Sequence, residues 1–263
     1  DDLVCLFDLG PTALSLAGIT IPQYMQARAF LGAQKKEPRQ YAFAHRDRMD
    51  EAADTMRSVM GKRYHYIRNF HPDRPYAMYI DYLELMPTMK EWRRLYKEHY
   101  DALSPNYGRA LNPAQLHFME PQKPTEELYD VIADPHEINN LANSPQHQAA
   151  LKEMRAALEK WQRETKDLGL MPEMELRERM RPGGVWQKVA APTISQIADG
   201  ASVKVKLACT TEGASIAYTT DTGDKPHWRL YTGELTLNSS VTLRTKACRL
   251  GYLDSDEIVK KFD

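Results

Sequence analysis

The chain has 263 residues, 42% of them hydrophobic and 27% charged, and a formal net charge of −1, which suits two medium domains that each bury a core. There is no overall basic field of the kind nucleic-acid binders show, and no run of about 18 apolar residues to span a membrane. Cys5, Cys209 and Cys248 have neither metal-type nor redox-type spacing.

Asp1 to Gly18 reads as a strand running straight into a helix, with Asp8 as its cap and Pro11 in the first turn, where a missing N–H costs nothing. Gly18 stands where a left-handed end is wanted. Leu9, Ala13, Leu16 and Ala17 make an apolar face that needs a sheet over it, so the chain reads as starting within a fold. Thr20 to Lys36 is a connector carrying Pro22 and the apolar stretch Ala29-Phe30-Leu31. Gln40 to His45 alternates as a strand, and Thr55 to Met60, Gly61-Lys62 and Arg63 to Arg68 read as a hairpin with a tight turn.

His71 to Pro87 is rich in proline and tyrosine and is read as an ordered loop. Thr88 caps a helix through His99 with Met89, Trp92, Leu95 and Tyr96 inward, and Asn112-Pro113 opens a second. Glu127 to Asp130 is a brief strand, and Asp134-Pro135 turns the chain toward Ser144-Pro145. From there Leu151, Met154, Leu158 and Trp161 keep helical spacing to about Leu168, with Gly169 as the stop. Leu170 to Lys188 reads as a linker. Beyond it, Val203–Cys209, Ser215–Thr220, Arg229–Leu237, Val241–Cys248 and Glu257–Phe262 alternate at sandwich spacing. Val203, Val205, Leu207 and Cys209 share a face, whereas Cys248 lies opposite the Val241, Leu243, Ala247 set, so free thiols are expected.

The densest polar cluster is His45-Arg46-Asp47-Arg48-Met49-Asp50-Glu51, read as leaving a strand end into a loop. Arginine forks there match sulfate, phosphate or carboxylate oxygens, which makes His45, Arg46 and Arg48 candidates for an anion or sugar subsite. The competing reading is a solvated loop with internal ion pairs. Asp47, Asp50 and Glu51 are a weaker pattern for paired-carboxylate hydrolysis. The chain has no Gly-x-Ser-x-Gly elbow, no phosphate-cradling glycine loop and no His-x-x-x-His pair. His117, His136 and His147 read as surface or capping residues, and Trp92 and Trp161 as core. In the sandwich, Tyr218, Trp228, Tyr231 and Tyr252 suit stacking on sugars, but interior packing is the commoner use of strand aromatics.

Three separated segments together resemble one family. Phe7-Asp8-Leu9-Gly10-Pro11-Thr12-Ala13-Leu14-Ser15-Leu16-Ala17-Gly18 resembles the Asp-Leu-Ala-Pro-Thr helix of sulfatases. Met56 to Val59 with Lys62 to Ile67 is similar to their C-terminal hairpin, and Glu127-Leu128-Tyr129-Asp130 through Asp134 to Ala142 to their closing motif. Tyr41 to Glu51 resembles bacterial sulfatases related to the sulfamidases that act on sulfated glycosaminoglycans. The tail, with Ser215 to Asp221, Leu230 to Gly233 and Thr242 to Ala247, resembles the fibronectin-like module appended to chitobiases.

The resemblance implies an α+β chain in three parts. Residues 1–36 would be a remnant of an alkaline-phosphatase-like α/β core, residues 37–182 a small antiparallel sheet with packing helices, and residues 189–263 an all-β fibronectin-like sandwich. It implies an exported, periplasmic or secreted enzyme that hydrolyses sulfated carbohydrate, with calcium and formylglycine as cofactors of the intact parent. Formylglycine arises from a Cys/Ser-x-Pro-x-Arg motif that this sequence lacks, and neither the calcium ligands nor the basic sulfate clamp maps onto it. The nucleophile and metal site would belong to an N-terminal core as partner, leaving this chain inactive alone and His45, Arg46 and Arg48 in substrate recognition. The alternative is a non-catalytic glycan-binding or structural module.

Overall fold

The computed structural model describes residues 2–199, 202–238 and 240–262, and the chain divides into two compact units, Asp1–Leu170 and Met171–Asp263. In the first unit a 3-10 turn over Leu6–Asp8 leads into α1 (Leu9–Leu16), and residues 2–5 are not a strand, since no strand of the described residues lies beside them. Asp8 does not cap the helix with its side chain. It is buried, and its carboxylate takes the Arg39 guanidinium at 2.5 Å, the Cys5 N–H at 2.9 Å and the Arg28 N–H at 3.2 Å.

Asp8, Thr12 and Ser15, at helical spacing, are the buried side of this element. Thr12 Oγ1 accepts from Phe30 N–H and Ser15 Oγ from Gln34 N–H, so the connector is strapped to the polar face of α1. Gly32 (φ 83°) passes so close that a Cβ would stand 2.4 Å from Ser15 Oγ. The apolar positions Leu9, Ala13, Leu16 and Ala17 are exposed, as are Leu6 (86%) and Phe7 (58%).

The sheet of this unit is antiparallel in the order β1 (Ala42–Met49), β2 (Ala52–Met60), β3 (Tyr64–Asn69), β4 (Glu126–Asp130). The first strand runs on to Met49 and turns at once through Asp50 (φ 47°) and Glu51 into β2, so the polar cluster lies largely in a strand and not in a loop. Short helix α2 (Asp81–Glu84) interrupts the long loop. Helix α3 (Pro87–Tyr100) opens on Pro87 at its first position, not on a Thr88 cap, and α4 (Pro113–Met119) has Asn112 accepting from Gln115 N–H as its cap. Trp92, Leu95 and Tyr96 of α3 pack with Phe118 around buried Ala77, Leu111 and Met119.

Register decides what the sheet buries. Phe43, Val59, Tyr66 and Leu128 are successive cross-strand partners, and α5 (Gln148–Thr165) lays Leu151, Met154 and Leu158 against them, with Trp161 stacked on Phe43 at 5.1 Å. Helix α5 ends at Thr165, with Lys166 left-handed (φ 53°), and not near Leu168. On the opposite face Glu127 is buried, accepting from Asn69 Nδ2 at 2.6 Å, from Tyr129 OH at 2.6 Å and from Tyr76 OH. Beside this set the ion pair of Lys123 and Asp54 is fully enclosed. Burial and the hydrogen bond to Glu127 push both tyrosine phenols up, so they stay donors.

In the second unit the segment read as a linker contains α6 (Glu173–Met180). One sheet is β5 (Thr193–Asp199), β6 (Ser202–Ala208), β9 (Leu235–Asn238). The other is β11 (Ile258–Lys261), β10 (Thr242–Cys248), β7 (Ser215–Thr219), β8 (Arg229–Leu230). The stretch Arg229–Leu237, expected as one strand, is two: the chain changes sheets between Leu230 and Leu235, at Thr232-Gly233. Val205, Leu207, Ile216, Leu243 and Ala247 form the core, with Cys209, Tyr218, Tyr231 and Tyr252 packed on it.

The cysteines follow the parity argument. Cys209 packs on the core and Cys248 does not, and all three are free. Unfolded in guanidinium without reductant, the protein is expected to titrate three thiols per chain with Ellman's reagent; a single equivalent would mean that two of the three bridge.

Candidate functional site

Two residues beyond the apolar row, on the same face of the sheet, a charged row crosses all four strands: His45 opposes Arg57, Arg57 opposes Arg68, and Arg68 opposes Glu126. Between the pairs Arg46–Met56 and Arg48–Ala53, β2 holds one residue more than β1, a bulge that falls beside Asp47. At the Glu126 end α5 supplies Arg155 to this row, and at Arg57 the chain just past the end of α5 supplies Asp167.

Arg57 is the centre of this row. Its side chain is 1% exposed and grips Asp167 with two parallel bonds, Nε to Oδ2 at 2.7 Å and Nη2 to Oδ1 at 2.8 Å. Nη1 donates to Asp47 Oδ1 at 2.9 Å and to the carbonyls of Met56 and Arg46 at 2.8 and 3.3 Å. Asp167 also accepts from Gln162 Nε2 and from Gly169 N–H. The guanidinium holds the Asp167 carboxyl down at about 2, the Gln162 and Gly169 hydrogen bonds adding to its effect.

At the other end of the row Glu126 takes Arg155 of α5 through Nε at 2.7 Å and Nη2 at 2.8 Å, Arg68 at 3.5 Å, and the Tyr66 hydroxyl. Burial pushes the Glu126 carboxyl up, but Arg155 and Tyr66 together hold it below the usual range. A cleft of about 360 Å³ opens here, lined by Tyr66, Arg68, Phe70, Arg155 and Gln162. Its arginines are turned on Glu126, so an incoming anion would have to displace that carboxylate.

His45 is exposed on the α5 side of the sheet, next to the charged row. Strand alternation puts Arg46 and Arg48 on the other face, so these two share a surface with each other and not with His45. Arg46 is half-buried, and its Nε is buried with no partner among the described residues. Arg48 is exposed, its Nη1 donating to the Asp50 and Glu51 carbonyls at 3.3 and 3.1 Å. Of the three acids in the cluster, Asp47 serves Arg57, Glu51 accepts from Asp81 N–H at 2.6 Å, and Asp50 makes the turn. These are structural duties, and they weigh against a hydrolase built on that trio.

His147 bonds Ser144 Oγ, and His117 lies against the Tyr76 ring. Among the described residues no three His, Cys, Asp or Glu side chains gather as a metal site requires. Arg57, Arg68, Glu126, Arg155 and Asp167 went unnoticed in the sequence. The available signal was parity: Arg57 and Arg68 occupy the same alternating positions as the core residues Val59 and Tyr66.

With this geometry in hand, the comparisons define the class. Residues 197–260 match the family model of the chitobiase/β-hexosaminidase C-terminal domain. The chain is 38% identical over 259 residues, 97% of its length, to an ulvan-active sulfatase of Formosa agariphila, of which it covers 41%. It is 28% identical over 196 residues, 68% of its length, to the N-sulphoglucosamine sulphohydrolase of Homo sapiens, of which it covers 36%. Among solved structures a 2-O GAG sulfatase aligns over 61% of this chain and 25% of its own, at 24% identity and a TM-score of 0.38. The chain is a homologue of sulfatases that carries a chitobiase-type C-terminal domain, and it spans well under half the length of the curated relatives it matches.

Two outcomes test the Arg57 clamp. Because the folded Asp167 carboxyl is depressed to about 2, its contribution is complete above the unfolded value near 3.9 and is lost as pH falls through about 2. Urea unfolding of the wild type and Asp167→Asn should therefore differ by about 2 kcal/mol less at pH 2 than at pH 7; a difference independent of pH would refute the assignment. At Gly169 an added Cβ would stand 1.8 Å from Arg57 Nη2 and 2.6 Å from Asp47 Oδ1, so Gly169→Ala should cost about 1–3 kcal/mol in the same assay.

Proposed function

We propose that this chain is the C-terminal region of an exported sulfatase, periplasmic or secreted, that hydrolyses sulfate esters or N-sulfates of sulfated glycans. The observation that carries the reading is the match to the ulvan-active sulfatase along 97% of the chain. Both curated relatives are named for sulfated carbohydrate: ulvan for the first and N-sulphoglucosamine for the second. The chitobiase/β-hexosaminidase C-terminal domain, named for enzymes of glycan breakdown, agrees with them.

The residues present do not fit formylglycine or calcium. The Cys/Ser-x-Pro-x-Arg motif is missing from the sequence, and the acids near the polar cluster are occupied by Arg57 and by backbone N–H groups. Nucleophile and metal site are accordingly proposed to lie in the parent's remaining part. The exposed apolar side of α1, with Leu6, Phe7, Leu9 and Leu16, is the surface that remaining part would cover.

Arg46 and Arg48 are proposed to meet the substrate's anionic groups on their shared face; the role expected of His45 beside them does not fit its place on the opposite face. Arg46 suits the role best, because a half-buried guanidinium with an unpartnered Nε gains most from an oxyanion. Sulfate release from sulfated disaccharides should appear only when the chain is extended upstream through a Cys/Ser-x-Pro-x-Arg motif. In that longer enzyme Arg46→Ala should lower kcat/KM by about ten- to a hundredfold, the loss of one charge-assisted hydrogen bond. Activity in neither form would leave the chain a glycan-binding or structural module, and an unchanged kcat/KM would remove Arg46 from the site.

A further inference from the structure

At the end of the sheet away from the charged row, β2 turns into β3 through Gly61, Lys62 and Arg63, and the start of α5 passes beside the turn. Between them lies an open cleft of about 300 Å³. Its floor is apolar, formed by Tyr41, Tyr64, Ala150 and Met154, and its rim is polar, with Gln40, Lys62, Arg63 and Glu153. The floor is already braced from behind: Tyr41 packs on Phe43 at 6.3 Å, and its hydroxyl donates to Glu153 at 2.6 Å, which, after burial, pushes the phenol up to about 12. The ring is therefore fixed in place as a surface and not free to swing over the cleft.

The rim charges are unequal. Glu153 is engaged by Tyr41, and Arg63 reaches Asp130 at 2.8 Å while remaining 61% exposed over the Tyr64 ring. Lys62 is exposed at the tip of the turn. Arg63 is thus already paired with Asp130 and covers the Tyr64 ring, so that Lys62, exposed and without an ion pair among the described residues, and the Tyr41 ring are what the cleft presents to a pyranose ring. An apolar sugar face packs on aromatic rings while its charged substituents pair with nearby ammonium and guanidinium groups.

We propose that this cleft is a binding site for an anionic sugar unit, sulfated or carboxylated, at a place on this chain distinct from the Arg46 surface. The inference deepens the glycan reading above and rests on it for the ligand class alone. Binding needs no nucleophile, so it is measured on this chain as it stands.

The probe is a heparin-derived tetrasaccharide, titrated calorimetrically alongside its fully desulfated counterpart and an oligogalacturonate of equal length. Binding of the first is expected, with Lys62→Glu weakening it at least tenfold and Tyr41→Ala at least fivefold. Lys62→Glu alters only an exposed turn position, so an unchanged melting temperature certifies its fold. Binding of the desulfated and galacturonate probes at similar strength would assign the site to carboxylates, and its loss on desulfation to sulfate; either supports the cleft. Absence of binding at millimolar probe, or binding that survives Lys62→Glu, would overturn it. Failure of the sulfatase reading shows separately, as no sulfate release from the extended enzyme, and leaves the titration unaffected.

Discussion

Arg57 is the constraint on which the first unit depends. A guanidinium sealed inside a small sheet is costly unless every donor is met, and here the demand is satisfied by two carboxylates and two carbonyls drawn from three stretches of chain. Asp47 comes from β1, the carbonyls from β1 and β2, and Asp167 from beyond α5. The left-handed Lys166 ends the helix where Asp167 must turn toward the sheet, and Gly169 leaves the space that the guanidinium occupies. The hydrophobic row under Leu151, Met154 and Leu158 supplies area, and the clamp fixes where along the sheet the helix stops.

The same logic explains the opening segment, where the ordinary arrangement is inverted. Helix α1 turns its polar side inward because Asp8, Thr12 and Ser15 tie down Arg39 and the backbone of residues 28–34, whose N–H groups would otherwise lack partners. Its apolar side is left facing outward. That face is the surface proposed above for the remainder of the parent.

The second unit is built by alternation alone. Val203, Val205 and Leu207 face Leu243 and Ala247 from the other sheet, and the single buried hydroxyl in that row, Thr245, is satisfied by the Ala217 carbonyl at 2.9 Å. Trp228 lies outside this core beneath Arg244 and Lys246, each of which also has a carboxylate partner, Glu257 and Asp254. Both cations over Trp228 are thus paired, whereas Lys62 at the cleft of the first unit has no ion pair among the described residues.

What the sequence determined by itself is the part governed by period and local chemistry. The hairpin at Gly61-Lys62, the buried stripe Leu151, Met154, Leu158, the Asn112 cap, the separation of Cys209 from Cys248 and the resemblance to sulfatases with a chitobiase-type tail were all legible, because each is written in neighbouring residues. Tertiary structure alone decided which charges are spent. In sequence Arg46, Asp47 and Arg48 are one cluster; in the fold the bulge and the pleat turn Asp47 onto Arg57, whose other carboxylate, Asp167, lies more than a hundred residues away, while Arg46 keeps an unmet Nε on the other face. Side-chain parity is local, but the identity of the group that parity meets across a sheet is set by register and by where a distant helix ends.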